Sequence, residues 1–244
     1  MKEIQIHPTA QVSDKAKISE GVEIGPYAII EDNVEIGKGS KIRSHAVLAN
    51  GARIGANCAI FSHAVIATEP QDLKYSDEET LAIIGNNTVI REFVTVNRGT
   101  KATGYTSVGD DCLIMTYSHI AHDCHLANNI IMSNTTQLAG HVTIEEWVNI
   151  GGVVKIHQFS NIGAYSFLGA DCKIVKDVPP YTLIGREPPR VEGINKVGLR
   201  RRGFTREQID EIEAFYNMVL YSGMNNADGI AKYRETHEVS EVVQ

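Results

Sequence analysis

The chain has 244 residues, with 23 Lys and Arg against 30 Asp and Glu, so its formal net charge is -7 and its pI is near 5.7. This length allows a sizeable core in one or two domains, and the negative charge argues against a general binder of nucleic acid or membrane surfaces. The N-terminus, MKEIQIHP, lacks the apolar region of a secretory signal, and no apolar run approaches the roughly 18 residues of a spanning helix. We therefore expect a cytoplasmic protein without a transmembrane segment.

The first three quarters of the chain repeat every six residues. An aliphatic residue stands at 26 of the 29 multiples of six from 6 to 174, and the fourth place after it is usually small, as at Ala10, Ala16 and Ala28. A helix repeats at 3.6 residues and a strand at 2, so neither explains this period. In the hexapeptide pattern each unit is a short strand plus a turn, three units form one 18-residue coil of a triangular prism, and coils stack about 4.8 Å apart. We predict an all-β parallel β-helix over residues 1–180.

Two segments interrupt the repeat, near residues 67–83 and 97–107. The first contains QDLKY and the second is NRGTKATGYTS. The six-residue phase is the same before and after each, so we predict two external loops that leave the prism and rejoin it. Loops on a rigid scaffold often carry function, although a tolerated surface insertion would give the same pattern.

The repeat ends at DVPPY, and residues 181–244 are predicted to form a linker and a small α-helical C-terminal domain. Thr205 and Gln208 have the spacing of a capping box at a helix N-terminus. Apolar residues follow at helical spacing: Ile209, Ile212, Phe215 or Tyr216, and Val219. Such a domain could shield the last coil.

The four cysteines all occupy the small position four residues after an aliphatic one; they are Cys58, Cys112, Cys124 and Cys172. None forms a CxxC pair, which argues against a zinc ribbon. We predict that they are buried packing residues, neither disulfide-bonded nor metal-bound.

Three histidines occur in SHIAHDCHL, residues 118–126, and the coil length predicts which residues lie next to them. A residue lies over the one 18 positions later, so His122 stacks on Gly140 and then on Gln158. His141 and His157 lie one residue beside this column. A single exposed strand residue need only be polar, but several polar interruptions in register favour a site.

Acyl transfer is the chemistry that this column suits. An imidazole such as His122 acts as a general base near neutral pH, and Asp123 beside it could orient the ring. A backbone N–H at Gly140, where no side chain blocks approach, could stabilise a developing oxyanion.

Two other functions stay open on the residues alone. Imidazoles are good zinc ligands, and the γ-class carbonic anhydrases, also hexapeptide proteins, bind metal with histidines of adjacent subunits. His119, His122 and His125 would, however, point in different directions from one strand–turn unit, so we predict no metal site. A non-catalytic β-helix module is the third hypothesis.

Eight stretches occur in the same order as in a known family: HPTA, QDLKY, HIAHDC, LAGHV, IGG, HQF, DVPPY and LRRRGF. The chain resembles the UDP-N-acetylglucosamine O-acyltransferases, which begin lipid A synthesis. The resemblance implies a left-handed β-helix, against the usual crossover handedness, and a homotrimer with active sites between prisms. It implies transfer of a (3-hydroxy)acyl chain from acyl carrier protein to the 3-hydroxyl of UDP-N-acetylglucosamine. No cofactor is implied beyond the donor's own phosphopantetheine.

The resemblance also implies residue roles. The catalytic group would be the base His122, its partner Asp123 and the oxyanion donor Gly140. The substrate-binding residues would be Asp72, Lys74, His119, His141, His157, Gln158, Asn195, Arg201 and Arg202. The acyl-chain pocket would include Gly169 and Ala170. The basic run fits an acidic carrier protein and a diphosphate, although a solvated helix face is the alternative, and which of Arg200, Arg201 and Arg202 meets which ligand stays open.

Three residues depart from the family pattern. Asn97 stands where many members have histidine, which leaves open N-acylation of a 3-amino-3-deoxy UDP-sugar by the same site. Val197 replaces a glutamate near Asn195. Ala170 replaces a glycine, and its methyl group could shorten or reroute the acyl pocket.

Overall fold

The computed structural model describes residues 3–243; the ends of the two predicted domains, residues 1–2 and 244, lie outside it. In chain order the strands are β1 (Gln5–Ile6), β2 (Gln11–Val12), β3 (Lys17–Ile18), β4 (Glu23–Ile24), β5 (Ile29–Ile30), β6 (Glu35–Ile36), β7 (Lys41–Ile42), β8 (Val47–Leu48), β9 (Ala52–Ile54), β10 (Ala59–Ile60), β11 (Val65–Thr68), β12 (Leu81–Ile84), β13 (Val89–Ile90), β14 (Thr95–Asn97), β15 (Tyr105–Val108), β16 (Leu113–Ile114), β17 (His119–Ile120), β18 (His125–Leu126), β19 (Ile131–Met132), β20 (Gln137–Leu138), β21 (Thr143–Ile144), β22 (Asn149–Ile150), β23 (Lys155–Ile156), β24 (Asn161–Ile162), β25 (Phe167–Leu168), β26 (Lys173–Ile174), β27 (Thr182–Gly185) and β28 (Arg190–Ile194).

From β1 to β26 every third strand joins the same sheet, and the three sheets are the faces of a triangular prism. Face A runs from β1 through β4 and β7 to β25, β27 and β28; face B runs from β2 through β5 to β26; face C runs from β3 through β6 to β24. The pairing is parallel in all but the last step, in which β28 runs antiparallel to β27. The chain is a left-handed parallel β-helix, which confirms the predicted fold class.

The core follows from the six-residue period. The aliphatic residue of each unit points inward, and Ile60, Ile66 and Ile90 have no exposed surface. Full burial of each such side chain contributes roughly 1.5–3 kcal/mol, so the repeat itself selects the prism. The small inward positions are filled as predicted, and all four cysteines are buried with free thiols.

Left-handed turns separate the faces. In most units the residue three places after the inward aliphatic one has a φ near +60°, as at Asp123 (φ 58) and His141 (φ 62). Such a φ costs a non-glycine residue roughly 1–2 kcal/mol, and the paired strands on both sides of each turn offset this cost. Because one coil is 18 residues, turn residues stack in columns along the three edges of the prism.

Two stretches without strands leave the prism, residues 69–80 and 98–104. We call them the first and second excursions. Ile60 pairs with Ile90 across the first, and Thr95 pairs with His119 across the second. Pairing partners are therefore 30 and 24 residues apart there, against 18 in a regular coil such as His119 with Gln137. Both excursions connect face B to face C.

The two excursions are bonded to each other. The Arg98 guanidinium donates to the Tyr75 hydroxyl over 2.6 and 3.0 Å, and the Thr80 hydroxyl donates to the carbonyl of Gly99. The Arg98 side chain is 15% exposed. The second excursion is thus a short, braced loop that touches both the first excursion and the next coil.

Three helices follow the prism: α1 (Lys196–Arg201), α2 (Arg206–Tyr221) and α3 (Asn226–Thr236). The predicted capping box of Thr205 and Gln208 is present. The buried residues of α2 are Ile209, Ile212, Tyr216 and Val219. The Tyr216 hydroxyl donates to the carbonyl of Pro180 over 2.8 Å, which ties α2 to the end of the prism. None of the helices within residues 3–243 has the length and apolar character to span a bilayer.

Candidate active site

His122 and Asp123 form a hydrogen-bonded pair on the edge between faces B and C. Both lie in the turn between β17 and β18, and Nδ1 of His122 is 2.8 Å from Oδ2 of Asp123. The side chain of His122 is 13% exposed, whereas that of Asp123 has no exposed surface. The imidazole therefore separates the buried carboxylate from solvent.

Three donors from the second excursion surround the other lone pairs of Asp123. The Thr100 N–H donates to Oδ1 over 3.0 Å, the Thr100 hydroxyl to Oδ2 over 2.8 Å, and the Thr103 hydroxyl to Oδ1. The backbone N–H of Asp123 donates to the Thr106 hydroxyl over 2.8 Å. The carboxylate is therefore fully hydrogen-bonded, as a buried charge must be.

These contacts settle the charge of Asp123. Burial alone raises the pKa of this carboxyl group, but the hydrogen bonds from Thr103, His122 and Thr100 outweigh it and lower the pKa to about 2. An anion facing Nδ1 of His122 favours a proton on that atom. The lone pair of the ring then sits on Nε2, the nitrogen available to a substrate.

Gly140 lies directly over the His122 ring, as the 18-residue coil predicts. A Cβ atom built on Gly140 would lie 2.7 Å from Cε1 and 2.9 Å from Nε2 of His122. Such distances are too short for any side chain, so only glycine leaves this imidazole in place. Gly140 therefore packs against the side of the ring that carries Cε1 and Nε2.

His141 brings a second imidazole to the same carboxylate. Its Nε2 lies 3.7 Å from Oδ2 of Asp123, and its ring meets the His122 ring edge-on at 5.2 Å and 89°. The His141 ring also stacks on the Phe159 ring, with 4.5 Å between their centroids. His157 and Gln158 precede Phe159 on the same edge, and both are exposed.

The other two histidines of the run lie on different faces. His119 is on face B, with Nδ1 2.7 Å from the Thr95 hydroxyl, and burial lowers its pKa, with a smaller contribution from His122. His125 is on face C, against Ser107 and Tyr105. The trio considered as zinc ligands is therefore not brought together.

A different triplet has metal-ligand geometry. Among residues 3–243, ligand atoms of His122, Asp123 and His141 lie within 4.8 Å of one another. Nδ1 of His122 and Oδ2 of Asp123 already bond to each other, and the threonines use the remaining lone pairs of the carboxylate. A metal ion would have to displace these bonds, so the geometry favours an acid–base pair.

Asp72 and Lys74 belong to the first excursion, on the same B–C edge. The hydrogen bonds of Asp72 are local: its Oδ1 accepts from the Lys74 N–H over 3.0 Å, and its carbonyl accepts from the Tyr75 N–H over 3.0 Å. Lys74 is exposed and Asp72 is half-buried. Both residues are available to a ligand bound along that edge.

Asn97, one of the departures from the family pattern, braces the base of the first excursion. It is 3% exposed, and its amide donates to the carbonyl of Glu69 over 2.8 Å and to the hydroxyl of Thr68 over 3.1 Å. Its amide nitrogen is therefore engaged within the fold.

A second cluster of predicted residues lies on face A. Asn195, Val197, Arg201 and Arg202 line a cavity of about 550 Å³, with a floor of outward residues from β19, β22 and β25 that includes Phe167. Arg200 instead lines a separate cavity with Arg206 and Asp210. Face A is opposite the B–C edge, so one prism cannot bring this cavity to His122.

The amide of Asn195 is used within the fold. Its oxygen caps α1 by accepting from the Gly198 N–H over 3.1 Å, and its nitrogen donates to the Tyr165 carbonyl over 2.9 Å. The Arg202 guanidinium lies 4.0 Å over the Trp147 ring, a cation–π contact. Asn195 therefore positions the arginine helix.

Gly169 and Ala170 follow β25 at the end of the cavity floor. A Cβ on Gly151, which lines that cavity, would lie 2.6 Å from the Ala170 nitrogen. These two residues therefore neighbour the face A cavity and are remote from the histidine edge of the same chain.

Sequence reasoning missed the threonines around Asp123. Thr100, Thr103 and Thr106 recur every third residue in NRGTKATGYTS. A carboxylate predicted to be buried in a β-helix turn needs donors, and this hydroxyl-rich loop was the available signal. The extra six residues of the second excursion hid the pairing, because the 18-residue count does not hold across it.

Two family profiles match the chain: "Udp N-acetylglucosamine O-acyltransferase; Domain 2" over residues 177–244, and "GMPPB C-terminal domain" over residues 3–103. An acyl-[acyl-carrier-protein]–UDP-N-acetylglucosamine O-acyltransferase of Chlorobaculum parvum is 53% identical over 243 residues, covering 98% of this chain and 92% of that protein. The enzyme of the same name from Chlorobium phaeobacteroides is 57% identical over 169 residues, covering 69% of this chain and 64% of that protein. The crystal structure of a UDP-N-acetylglucosamine acyltransferase from Bacteroides fragilis has a TM-score of 0.97 at 43% identity, covering 98% of this chain and 94% of that one.

Proposed function

The chain belongs to the acyl-[acyl-carrier-protein]–UDP-N-acetylglucosamine O-acyltransferase family, and on that premise we propose that it transfers a (3-hydroxy)acyl chain from acyl carrier protein to the 3-hydroxyl of UDP-N-acetylglucosamine. This reaction is the first step of lipid A biosynthesis. The observation that carries the proposal is the buried, ionised Asp123 bonded to Nδ1 of His122, beneath Gly140.

The geometry suits general-base catalysis of acyl transfer. Nε2 of His122 takes the proton of the sugar 3-hydroxyl as that oxygen attacks the thioester carbonyl. The Gly140 N–H stabilises the oxyanion of the tetrahedral intermediate. The C–S bond then breaks, and the imidazolium returns its proton to the leaving thiolate of phosphopantetheine. Asp123 keeps the ring oriented and stabilises the imidazolium between the two steps.

We propose that the complete site forms between two copies of the chain. The arginine-lined cavity is on face A, whereas the histidines are on the B–C edge. A guanidinium pair suits a diphosphate or an acidic carrier protein, and these ligands would have to be near His122 during the reaction. A second copy of the chain, with its face A beside the B–C edge of the first, would supply Arg201 and Arg202 to the site of His122.

The A–B edge supports a homotrimer. Five turn residues form an aromatic column there, stacked at centroid distances of 4.9–5.0 Å: Tyr27, His45, His63, Phe93 and Tyr117. Tyr27 and Tyr117 are 56% and 57% exposed. Apolar outward residues flank part of the column, Val89 and Leu113 on face A and Val47 and Val65 on face B, while polar ones such as Lys41 and Thr95 flank the rest. Three copies with this edge on a common axis cover the columns and place each face A against the next face B.

We propose that the remaining predicted residues act along the same cleft. Asp72 and Lys74 bind the sugar nucleotide, His119, His141, His157 and Gln158 line the cleft, and Gly169 and Ala170 border the acyl tail. We propose that no resident cofactor is needed, because the donor carries its own thioester. Four free cysteines in the described residues support action in a reducing compartment, the cytoplasm.

The test is an acyl-transfer assay with UDP-N-acetylglucosamine and acyl carrier protein thioesters from short to long chains. Transfer to the 3-hydroxyl supports the proposal, and the preferred chain length reports the effect of Ala170. Transfer only to a 3-amino-3-deoxy UDP-sugar would replace the acceptor, and no transfer to either would overturn the function. A light-scattering mass near the 26.8 kDa of one chain, in place of three times that value, would overturn the intersubunit site.

A further inference from the structure

The second excursion closes over the catalytic carboxylate and contributes three of its four close donors. Oδ1 of Asp123 receives the Thr100 N–H and the Thr103 hydroxyl, and Oδ2 receives the Thr100 hydroxyl and Nδ1 of His122. No part of the Asp123 side chain reaches solvent. The loop is therefore a wall of the site, although the 18-residue coil spacing does not predict that its residues lie beside His122.

The two threonine hydroxyls are oriented by their own surroundings. The Thr100 hydroxyl accepts from the Ala102 N–H over 3.1 Å, so its single proton is free to point at the carboxylate. The Thr103 hydroxyl lies near both the Tyr105 carbonyl, at 2.9 Å, and Oδ1 of Asp123. A charged acceptor forms the stronger bond, so the Thr103 proton goes to Asp123.

Asp123 has two imidazoles within reach. Nδ1 of His122 is 2.8 Å from Oδ2, and Nε2 of His141 is 3.7 Å from the same oxygen. A small rotation of the carboxylate would bring Oδ2 to His141 and leave Nδ1 of His122 without its acceptor. His122 would then lose the contact that keeps its proton on Nδ1, and Nε2 would no longer be the base in every molecule.

We propose that Thr100 and Thr103 are positioning residues that hold the Asp123 carboxylate on His122 and away from His141, and that this assignment keeps Nε2 of His122 free to act as the base. The proposal deepens the proposed acyl transfer and rests on it for its kinetic consequence. The threonines touch neither substrate nor reacting atoms; they act through Asp123.

The same loop also links the two halves of the substrate site. Arg98, which precedes the threonines, holds the Tyr75 hydroxyl of the first excursion at 2.6 Å, and Thr80 holds the Gly99 carbonyl. Asp72 and Lys74 are in the first excursion. The second excursion is therefore hydrogen-bonded to two parts of the site. One is the first excursion, which we propose binds the sugar nucleotide, and the other is the Asp123 carboxylate, which orients the base.

The test compares Thr100→Val, Thr103→Val and the double variant with Thr100→Ser and Thr103→Ser. Valine removes the hydroxyl with little change of shape, and serine restores it. Thr103 is exposed, so Thr103→Val leaves the fold intact even if Thr100→Val weakens it. Ala102→Ser, in the same loop, is the matched control. Thermal melting and light scattering establish that each variant is folded and assembled as the wild type is.

The first readout needs no substrate. Histidine ¹⁵N spectra of the free protein distinguish a ring protonated on Nδ1 from one protonated on Nε2. We expect the Nδ1–H form for His122 in the wild type, in Ala102→Ser and in both serine variants, and a mixture of the two forms in the valine variants. An unchanged His122 tautomer in the double valine variant overturns the proposal, whatever happens to the rate.

The second readout is kinetic. Hydrogen bonds to a charged group contribute enough that kcat should fall about tenfold for each hydroxyl lost, while KM for UDP-N-acetylglucosamine changes less than about twofold. Serine variants that are as slow as the valine variants overturn the proposal, because they retain the hydroxyl. A wild-type protein that transfers no acyl group would instead overturn the proposed function, and the ring spectra would still decide the positioning of Asp123.

Discussion

Gly140 and His122 stand one coil apart with no room for a methyl group between them. A Cβ at Gly140 would approach Cε1 of the imidazole to 2.7 Å and Nε2 to 2.9 Å. The base and the proposed oxyanion donor are thus held by two adjacent turns of one rigid prism. Because the contact is this tight, the addition of one methyl group at Gly140 would displace the catalytic ring.

Gly140→Ala should displace the His122 ring and lower kcat by about 10²-fold or more, since a misplacement near 1 Å costs about that much. Gly152→Ala is the matched control. Gly152 holds the equivalent place in another turn, where the nearest atom to an added Cβ is the Asn134 carbonyl oxygen at 3.5 Å, an ordinary contact. Steady-state kinetics would check both, and equal activities would remove the geometric basis of the oxyanion assignment.

His122→Ala should lower turnover by about 10²–10⁴-fold, the usual loss for a missing acid–base group. The assembled mass should not change, because the substitution leaves intact the aromatic column on the A–B edge, around which we propose that the three copies meet. His125→Gln, in the same histidine run but on face C, should keep activity within about threefold. Activity of His122→Ala near that of the wild type would rule out His122 as the base.

Arg201→Ala should raise KM for the donor or the nucleotide sugar more than it lowers kcat. Arg201 lines the face A cavity, whereas Arg200 lines a different one. Arg200→Ala therefore removes the same charge from the same helix and should leave both KM values within about twofold. The two variants compared at several salt concentrations would separate a ligand contact from a general charge effect; identical KM values would count against the face A cavity as part of the site.

Asp123 should contribute to the acid dependence of stability. Its pKa is lowered to about 2 in the folded chain from an ordinary value of 3.8. A group with a depressed folded pKa stabilises the fold above its unfolded pKa, and this contribution is lost as pH falls through the folded value. Between about pH 5 and pH 2 the free energy of unfolding of the wild type should thus fall more than that of Asp123→Asn. Denaturant titrations across this range would measure both slopes, and parallel slopes would mean that the carboxylate is not held as an ion.

Chelators should leave acyl transfer unchanged. The atoms of His122, Asp123 and His141 that could bind a cation are engaged with each other and with Thr100 and Thr103. Protein incubated with EDTA and desalted should turn over at the wild-type rate, and elemental analysis of the purified protein should find zinc well below one ion per chain. Activity that is lost with EDTA and restored by zinc would reopen the metal-dependent hypothesis.

The sequence by itself determined the prism, because the inward aliphatic residue of each unit is specified within six residues. Where a coil is 18 residues, it also determined which turns meet, so that Gly140 falls on His122. The capping box at Thr205 begins α2 for an equally local reason: the two residues that satisfy the free N–H groups are three positions apart.

Only the tertiary structure decided what surrounds Asp123 and where the arginines are. The two excursions lengthen their coils, so the 18-residue separation of stacked residues does not hold across them. Thr100 and Asp123 therefore meet only once the next strands have paired. Arg201 lies on face A because α1 packs there after the repeat has ended, held by the Asn195 amide, which bonds to the Tyr165 carbonyl and to the Gly198 N–H. A repeat fixes contacts at constant separation, but loops and a following domain are placed by packing between segments distant in sequence.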